Sequence, residues 1–349
     1  MKAYVLHGIG EFQYEEIGTP KIEPGTVLVQ VKAAGICGSD IPRIYRTGAY
    51  HHPMTPGHEF AGLVIALGSK VDEKWLNKRV GIFPLIPCME CSQCKRQEYE
   101  MCQHYNYLGS RTDGGFAEYV RVPEWNLLEL PDKVTYQQAA MLEPMAVAVH
   151  AIRRGGITAA DTVAVCGLGT IGLFVTMFLL EMGCRKVYVA GNKAFQRDMA
   201  ETMGILPENF CDIRVNDWNQ WIAAKTENQG VDVFLDCVGK NEVLSQGILS
   251  LGAKGRLITV GNPAGDIALP KEVYWRILRK QLQISGTWNS SFTHDAQDDW
   301  HYVLECLEQG RIAPEKVITH IYPLERFREG FEIMRDKTED YVKIMTDFS

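Results

Sequence analysis

The chain has 349 residues, room for two domains and a substantial core, and its 46% hydrophobic, 23% charged composition is that of an ordinary soluble globular protein. A formal net charge of −7 argues against a nucleic-acid-binding surface, while leaving room for a local basic pocket. The opening "MKAYVLHG" reads as a β-strand and not as a secretory signal, and the longest apolar run, "IGLFVTMFLLEMG", is too short to span a bilayer, so a cytoplasmic protein without a membrane partner is expected.

Residues 1 to about 150 read as a β-rich domain with partly barrel-like sheets, because short β-patterned runs alternate with Gly and Pro. The runs are "TVLVQVKAAG", "FAGLVIALG", "RVGIFPLIP" and "FAEYVRVP". Three stretches here hold candidate ligands: "GICGSD" with Cys37, Ser39 and Asp40, "PGHEFAG" with His58 and Glu59, and "LEPMAVAVHA" with Glu143. A cysteine, a histidine and carboxylates suit a catalytic zinc that keeps an open or exchangeable position. No spacing rule brings them together. Taken singly, Cys37 is equally a buried core thiol, His58-Glu59 a polar pair at a strand start, and Glu143 a helix N-terminal carboxylate ahead of Pro144.

Between these stretches lies "PCMECSQCKRQEYEMC", with Cys88, Cys91, Cys94 and Cys102 in a C-x2-C-x2-C-x7-C pattern. In a reducing compartment such a cluster reads as a metal site before it reads as disulfides. Four thiolates at these separations can close around one structural zinc. An iron–sulfur cluster is the competing metal, but the ferredoxin run places its fourth cysteine three residues on, followed by proline. Here the gap is seven and Gln103 follows Cys102. A closed four-sulfur site has no open position, so it holds a loop and performs no chemistry.

From about 155 the rhythm becomes strand–helix alternation with continuously apolar strands, which implies a parallel sheet covered on both faces. "DTVAVCGLG" is a strand into a glycine turn, and Gly167-Leu168-Gly169-Thr170-Ile171-Gly172 fits G-x-G-x-x-G at the start of a helix. Strand, loop and helix together are the context of a dinucleotide-binding fold. About 20 residues on, an acid would hold the adenosine ribose. This chain has Gly191 there, which would leave room, then Asn192, which can donate, and Lys193, a cation suited to a 2′-phosphate, with Arg197 a turn later. The missing acid and the two cations favour NADP over NAD, unless Lys193 and Arg197 are merely solvated surface charges. "VDVFLDCVG" and "GRLITVGNP" end two further strands, so Cys237, Val260, Gly261 and Asn262 are expected to line the cofactor through their backbones. The predicted division is a β-rich domain over 1–150, completed by about 295–349, and a dinucleotide-binding domain over 151–294.

The combination of "GICGSD", "PGHEFAG", the four-cysteine lobe, "DGGFAEYV", "LEPMAVAVHA", "GLGTIG" and "QLQISGTW" resembles the zinc-dependent medium-chain dehydrogenase/reductase family over nearly the whole chain. Within that family, "CGSDIPRIYRTGAYHHP", "YLGSRTDGGFAEY" and "RILRKQLQISGTWNSS" look similar to the polyol-phosphate dehydrogenases. The resemblance implies a GroES-like catalytic domain, a Rossmann domain and an active site between them. It implies two zinc ions per chain, with Cys37, His58, Glu59 and Glu143 around the catalytic one and Glu59 or Glu143 exchanging. It implies oxidation of a secondary alcohol or polyol, or of a polyol phosphate such as galactitol 1-phosphate, to the ketone, and the reverse. Ser39 would take or relay the proton. A homodimer or homotetramer paired along "QLQISGT" also follows from the resemblance.

Two departures stand out. Many relatives carry a proton-relaying histidine three residues beyond the Ser39 position, where this chain has Pro42. NAD-dependent polyol-phosphate relatives carry an acid at the Gly191 place, whereas Gly-Asn-Lys resembles the Gly-Ser-Arg of NADP-dependent secondary alcohol dehydrogenases. An unphosphorylated polyol or secondary alcohol is therefore the alternative substrate. A phosphate would need cations, and Arg43, Arg46, Arg111, Arg279 and Lys280 are candidates, each also readable as a surface charge. His51 and His52 could line the pocket mouth, and Trp288 is either a pocket wall or a packing aromatic. A catalytically inactive dinucleotide-binding sensor is the alternative of another class, and a methyl-donor-dependent transferase would leave the metal donors unexplained.

Overall fold

The computed structural model describes every residue except Arg185, Ala264 and Ser349. The chain divides into two compact units, Met1–Pro144 with Ser291–Ser349, and Met145–Ser290.

The first unit is built on a seven-stranded sheet. Its strands run Ile318–Pro323, Lys343–Asp347, Thr26–Gly35, Glu59–Leu67, Arg79–Ile82 and Leu127–Glu129, with Tyr119–Pro123 also pairing with Thr26–Gly35. All pairings are antiparallel except Ile318–Pro323 with Lys343–Asp347. Alternation along Thr26–Gly35 sends Val27, Val29 and Val31 into the core, where an aromatic cluster of Tyr4, Phe12, Phe116, Phe327 and Phe331 fills the space beside them. The Tyr4 hydroxyl accepts from the Arg328 backbone N–H at 3.0 Å, which fastens the late helix Arg328–Asp336 to the strand Lys2–Gly8.

The second unit is a six-stranded sheet of order Phe210–Asp212, Lys186–Gly191, Thr162–Cys166, Val231–Asp236, Leu251–Thr259 and Gln283–Gly286, every neighbour parallel. In chain order this is third, second, first, fourth, fifth, sixth, the doubly wound arrangement whose ligand edge lies at the carboxyl ends of the strands. The helix Thr170–Glu181 is buried from Gly172 to Leu179, which explains why "IGLFVTMFLL" is apolar on every side. None of the helices in the described residues is long and apolar enough to cross a membrane.

Candidate functional site

Cys37 leaves the strand Thr26–Gly35 two residues after its end, and His58-Glu59 open its antiparallel neighbour, with Gly35 opposite Glu59 in register. The pairing of two strands thus brings together donors separated by some twenty residues. One ligand atom each of Cys37, His58 and Glu59 lie within 4.8 Å of one another. His58 is 5% exposed and Glu59 1%, while Cys37 is only partly covered, so the trio is buried on all but one side.

Each donor has a partner behind it. Asp40, wholly buried, accepts from the Cys37 backbone N–H at 3.0 Å and from Arg43 Nη1 at 2.6 Å, and its Oδ1 lies 3.5 Å from His58 Nδ1. That last separation is an electrostatic contact rather than a good hydrogen bond. Nδ1 makes no hydrogen bond, so Asp40 holds the ring by charge. Burial alone would push the His58 imidazolium down, yet the Asp40 carboxylate and the Cys37 sulfur hold it well above its ordinary value. A charge-rich pocket that attracts a proton in this way is one that attracts a cation. Lys343 Nζ donates to Glu59 Oε2 at 2.5 Å and to the Ile36 carbonyl at 3.1 Å. Ser39 Oγ donates to Cys37 Sγ at 3.3 Å, so its hydroxyl stands beside the donors.

Glu143 stands in the first turn of the helix Leu142–Arg154 and outside the 4.8 Å trio. Its Oε1 accepts from the Tyr107 hydroxyl at 3.2 Å, and Tyr107 packs edge-on against the His58 ring. Burial pushes its carboxyl up to about 7, with the neighbouring Glu59 adding to the effect and His58 opposing it. Asp40, a candidate ligand in the sequence, stands behind His58 and outside the trio, and sequence reasoning gave no role to Tyr107 or Lys343.

The four-cysteine lobe is better defined still. Cys88, Cys91, Cys94 and Cys102 place their sulfurs within 4.8 Å of one another, and none is in a disulfide. Cys88–Cys94 and Cys91–Cys102 are each 3.9 Å apart. A tetrahedral Zn–S₄ group has edges of about 3.8 Å, so the fit is close. Backbone N–H groups of Cys91 and Cys88 point at the sulfurs of Cys88 and Cys102 at 3.4 and 3.3 Å. Backbone donors hold the Cys91 thiol down at about 6. Burial pushes Cys94 up to about 12.

In the second unit the glycine loop makes a tight turn directly under the helix. Gly167 takes φ +96°, and a Cβ on Gly172 would lie 1.8 Å from the Gly167 carbonyl oxygen, so the helix packs directly on the turn. A Cβ on Gly169 would meet nothing within 4 Å, which leaves that face of Leu168-Gly169-Thr170-Ile171 open to a ligand. Cys166, Asp236, Thr259 and Gly286 are successive partners across the sheet, so the turns carrying Cys237, Val260, Gly261 and Asn262 share this edge with the loop. Asp236 ties two of them: its Oδ1 accepts from Val238 and Gly239 at 2.9 and 3.0 Å, and its carbonyl accepts from Val260 and Gly261.

The tip beside Gly191 corrects one expectation. Gly191 does not leave room: a Cβ there would meet Gln196 Oε1 and Phe210 Cζ at 2.9 Å each. Gln196 crosses the tip, accepting from Asn192 N at 3.0 Å and donating to the Leu168 carbonyl at 3.1 Å. Next to Gly191 in register stands Asp212, an acid contributed by the neighbouring strand. Arg214 grips both its oxygens at 2.9 and 2.6 Å, and Arg197, lying over the Phe210 ring, is 4.0 Å away. Lys193, Arg197 and Arg214 against Asp212 leave the tip cationic, and Gln196 and Arg214 were not legible beforehand.

The expected phosphate cations separate. Arg43 is committed to buried Asp40, and Lys280 donates to the Leu251 carbonyl, so neither is a free anion receptor. Arg279 lies over the Trp275 ring at 4.9 Å. Arg111 is different: its guanidinium is sandwiched between Tyr50 and Tyr105 at 4.4 and 4.1 Å from their ring centres, with Nη1 on the Tyr105 carbonyl. Tyr105 in turn packs edge-on against Tyr107. His51 contacts the Arg111 carbonyl and His52 the Leu6 carbonyl, each at 3.1 Å. Trp288 is 54% exposed, so it is not a core aromatic.

Comparison with known proteins agrees with this geometry. The family description "Alcohol dehydrogenase GroES-like domain" matches residues 23–132, and "Zinc-binding dehydrogenase" matches residues 170–309. L-threonine 3-dehydrogenase of Pyrococcus furiosus is 30% identical over 330 residues, 92% of this chain and 91% of that protein. The crystal structure of galactitol-1-phosphate dehydrogenase from Escherichia coli superposes with a TM-score of 0.93 at 29% identity, covering 99% of this chain and 100% of that one. A protein of Sinorhizobium meliloti 1021, described as a zinc-binding dehydrogenase and bound to NADP, gives 0.90 at 28% identity, over 99% and 98% of the two chains. With both halves matched and a relative 30% identical over 92% of this chain, the chain belongs to the zinc-dependent medium-chain dehydrogenase/reductase family, as an alcohol or polyol dehydrogenase.

Proposed function

We propose that this dehydrogenase oxidises a secondary hydroxyl of a polyol phosphate to the ketone, and reduces it back, with NADP as hydride acceptor and one catalytic and one structural zinc per chain. The observation that carries the reading is the meeting of Cys37, His58 and Glu59, with buried Asp40 behind the first two and buried Lys343 behind the third. A sensor that had lost catalysis would have no need of these donors. Zinc held there supplies a Lewis acid, and the dinucleotide supplies the hydride acceptor. The side chains do the rest. Asp40 fixes the His58 ring, Ser39 takes the hydroxyl proton, and with Pro42 where relatives carry histidine, that proton passes on to a ribose hydroxyl or water. Glu143, oriented by Tyr107, either completes the ligand set or hydrogen-bonds the substrate.

The phosphate is assigned to Arg111, whose guanidinium lies against two tyrosine rings and would exchange its exposed contact with the Tyr50 hydroxyl for the phosphate. The cofactor is assigned to NADP because Lys193, Arg197 and Arg214 outnumber Asp212. The test is a matrix of initial rates at 340 nm, with NADP and NAD against galactitol 1-phosphate and unphosphorylated galactitol. Arg111→Ala should lower kcat/KM for the phosphorylated substrate about tenfold or more and leave galactitol unaffected, while Lys193→Ala does the same for NADP and spares NAD. Equal turnover of the two polyols would favour the unphosphorylated alternative and remove Arg111 from the account; equal use of the cofactors would remove Lys193.

We further propose a dimer. The strand Gln283–Gly286 is the sheet's outer member and mostly exposed, and the helix before it shows Tyr274, Trp275 and Leu278 at 53%, 51% and 56% exposure. Sedimentation should give a dimer or tetramer that Ile284→Asp dissociates; a monomeric wild type at micromolar concentration would refute this. A cytoplasmic location is proposed on the four-cysteine lobe, whose thiols suit a reducing compartment, and cell fractionation checks it.

A further inference from the structure

Arg111 belongs to a short turn that is tied to the catalytic centre twice. The Tyr107 carbonyl accepts from the backbone N–H groups of Ser110, Arg111 and Thr112 at 3.3, 2.8 and 3.1 Å, and the Gly109 N–H donates to the Thr112 carbonyl at 2.7 Å. This turn, residues 107–112, lies backbone against backbone on the segment that leads into His58. A Cβ on Gly109 would stand 2.2 Å from the Gly57 carbonyl oxygen, and the same oxygen accepts from the Gly115 N–H at 2.8 Å. Just beyond the turn, Asp113 Oδ1 accepts from the Thr55 N–H at 2.8 Å. With no side chain between Gly57 and Gly109, neither segment shifts alone.

Side chains make the second tie. Arg111 Nη1 donates to the Tyr105 carbonyl at 3.2 Å, and its guanidinium lies 4.1 Å from the Tyr105 ring centre. The Tyr105 and Tyr107 rings meet edge-on, 6.2 Å between centres. Tyr107 meets the His58 ring in the same way at 5.9 Å, and its hydroxyl donates to Glu143 Oε1 at 3.2 Å. The placing of that carboxylate therefore depends on where the Tyr107 ring sits. Arg111 also has two arrangements open to it. Here Nη2 donates to the exposed Tyr50 hydroxyl at 3.4 Å, a long bond that a phosphate replaces with a charge-assisted one. We propose that the turn is a positioning element through which a phosphate bound at Arg111 sets Tyr107 against His58 and Glu143, so that the phosphate raises turnover and does not merely tighten binding. Binding energy from a part of the substrate that does not react is then expressed at the reacting centre. The inference rests on reading the substrate as a polyol phosphate held by Arg111.

The experiment separates the phosphate from the polyol. Galactitol and phosphite dianion are supplied as two pieces to the full-length, zinc-loaded enzyme with whichever dinucleotide it uses faster, and the rate at 340 nm is followed as phosphite rises. If the phosphate only anchors the substrate, free phosphite has no effect or inhibits. If it sets Tyr107, saturating phosphite should raise kcat/KM for galactitol about tenfold or more. Arg111→Ala should abolish the activation. Tyr107→Phe keeps the ring and loses the bond to Glu143. It should leave the half-activating phosphite concentration as in wild type and cut the maximal activation to below about threefold. Tyr105→Phe, which keeps ring and carbonyl, should be activated like wild type, whereas Tyr105→Leu should not. A tyrosine with a purely structural role would lower the rates with and without phosphite together and leave their ratio unchanged. Should Tyr105→Leu fail to fold, Tyr107→Phe carries the test. No activation in a wild type that still prefers galactitol 1-phosphate to galactitol, or full activation in Tyr107→Phe, overturns the proposal. Equal turnover of the two polyols by wild type would instead refute the substrate reading beneath it.

Discussion

Replacing Cys37 by alanine is expected to lower turnover about a thousandfold or more and to remove one zinc per chain, with the other retained. The size of the effect follows from how the pocket is built. His58 and Glu59 open one strand, Cys37 follows the end of its neighbour, and the sulfur is the only soft anionic donor of the trio. Without it the remaining imidazole and carboxylate must hold a dication alone, and Glu59 is already shared with Lys343. Removing Asp40's charge by Asp40→Asn should cost less, about ten- to a hundredfold, since the ring keeps its place but loses the carboxylate behind it. Metal analysis beside steady-state kinetics checks both. Full activity in Cys37→Ala, or loss of both ions together, would contradict the separation of the two sites.

The four-cysteine lobe predicts the opposite pattern. Cys94→Ser should release the second zinc and lower the melting temperature by roughly 5–10 °C, while the catalytic zinc stays. The segment has almost no core of its own. Met89 and Met101 are 44% and 54% exposed, and its ordered turns hang on the four sulfurs and on Tyr99 against Trp125 at 5.0 Å. Without the metal those turns lose their common centre, and buried Cys94 and Cys102 become two thiols with no reason to meet. Trypsin then finds Lys95 and Arg96 in an open loop. Limited proteolysis should cut the variant there and spare the wild type. Identical digestion patterns and melting temperatures would show that the lobe stands without metal.

What the sequence disclosed and what it withheld divide by distance along the chain. The glycine loop is local: Gly167, Gly169 and Gly172 lie within one turn, and their spacing announces both the tight bend and the close helix. The lobe is equally local, with every sulfur inside fifteen residues. The meeting of Cys37 with His58-Glu59 needed a strand pairing that the pattern suggests but does not fix in register. Lys343 stands 284 residues from Glu59, and no periodicity signals a cation in a run that reads "YVKIMTDF". Tyr107 reaches Glu143 across 36 residues, with no motif linking them. Arg43 and Lys280 looked like phosphate receptors because an arginine or lysine in isolation carries no mark of its partner. The buried carboxylate and the strand-end carbonyl that hold them are tertiary facts. Gly191 misled for the same reason. A missing side chain reads as space until Gln196 and Phe210 are seen to fill it.

The zinc-edge anomalous map of crystals grown with zinc tests the central claim most directly. It should show two peaks per chain. One should lie at the centre of the four cysteines and the other at about 2.0–2.3 Å from Cys37 Sγ, a ring nitrogen of His58 and an oxygen of Glu59 or Glu143. A catalytically active crystal form with a peak only in the four-cysteine lobe would contradict it.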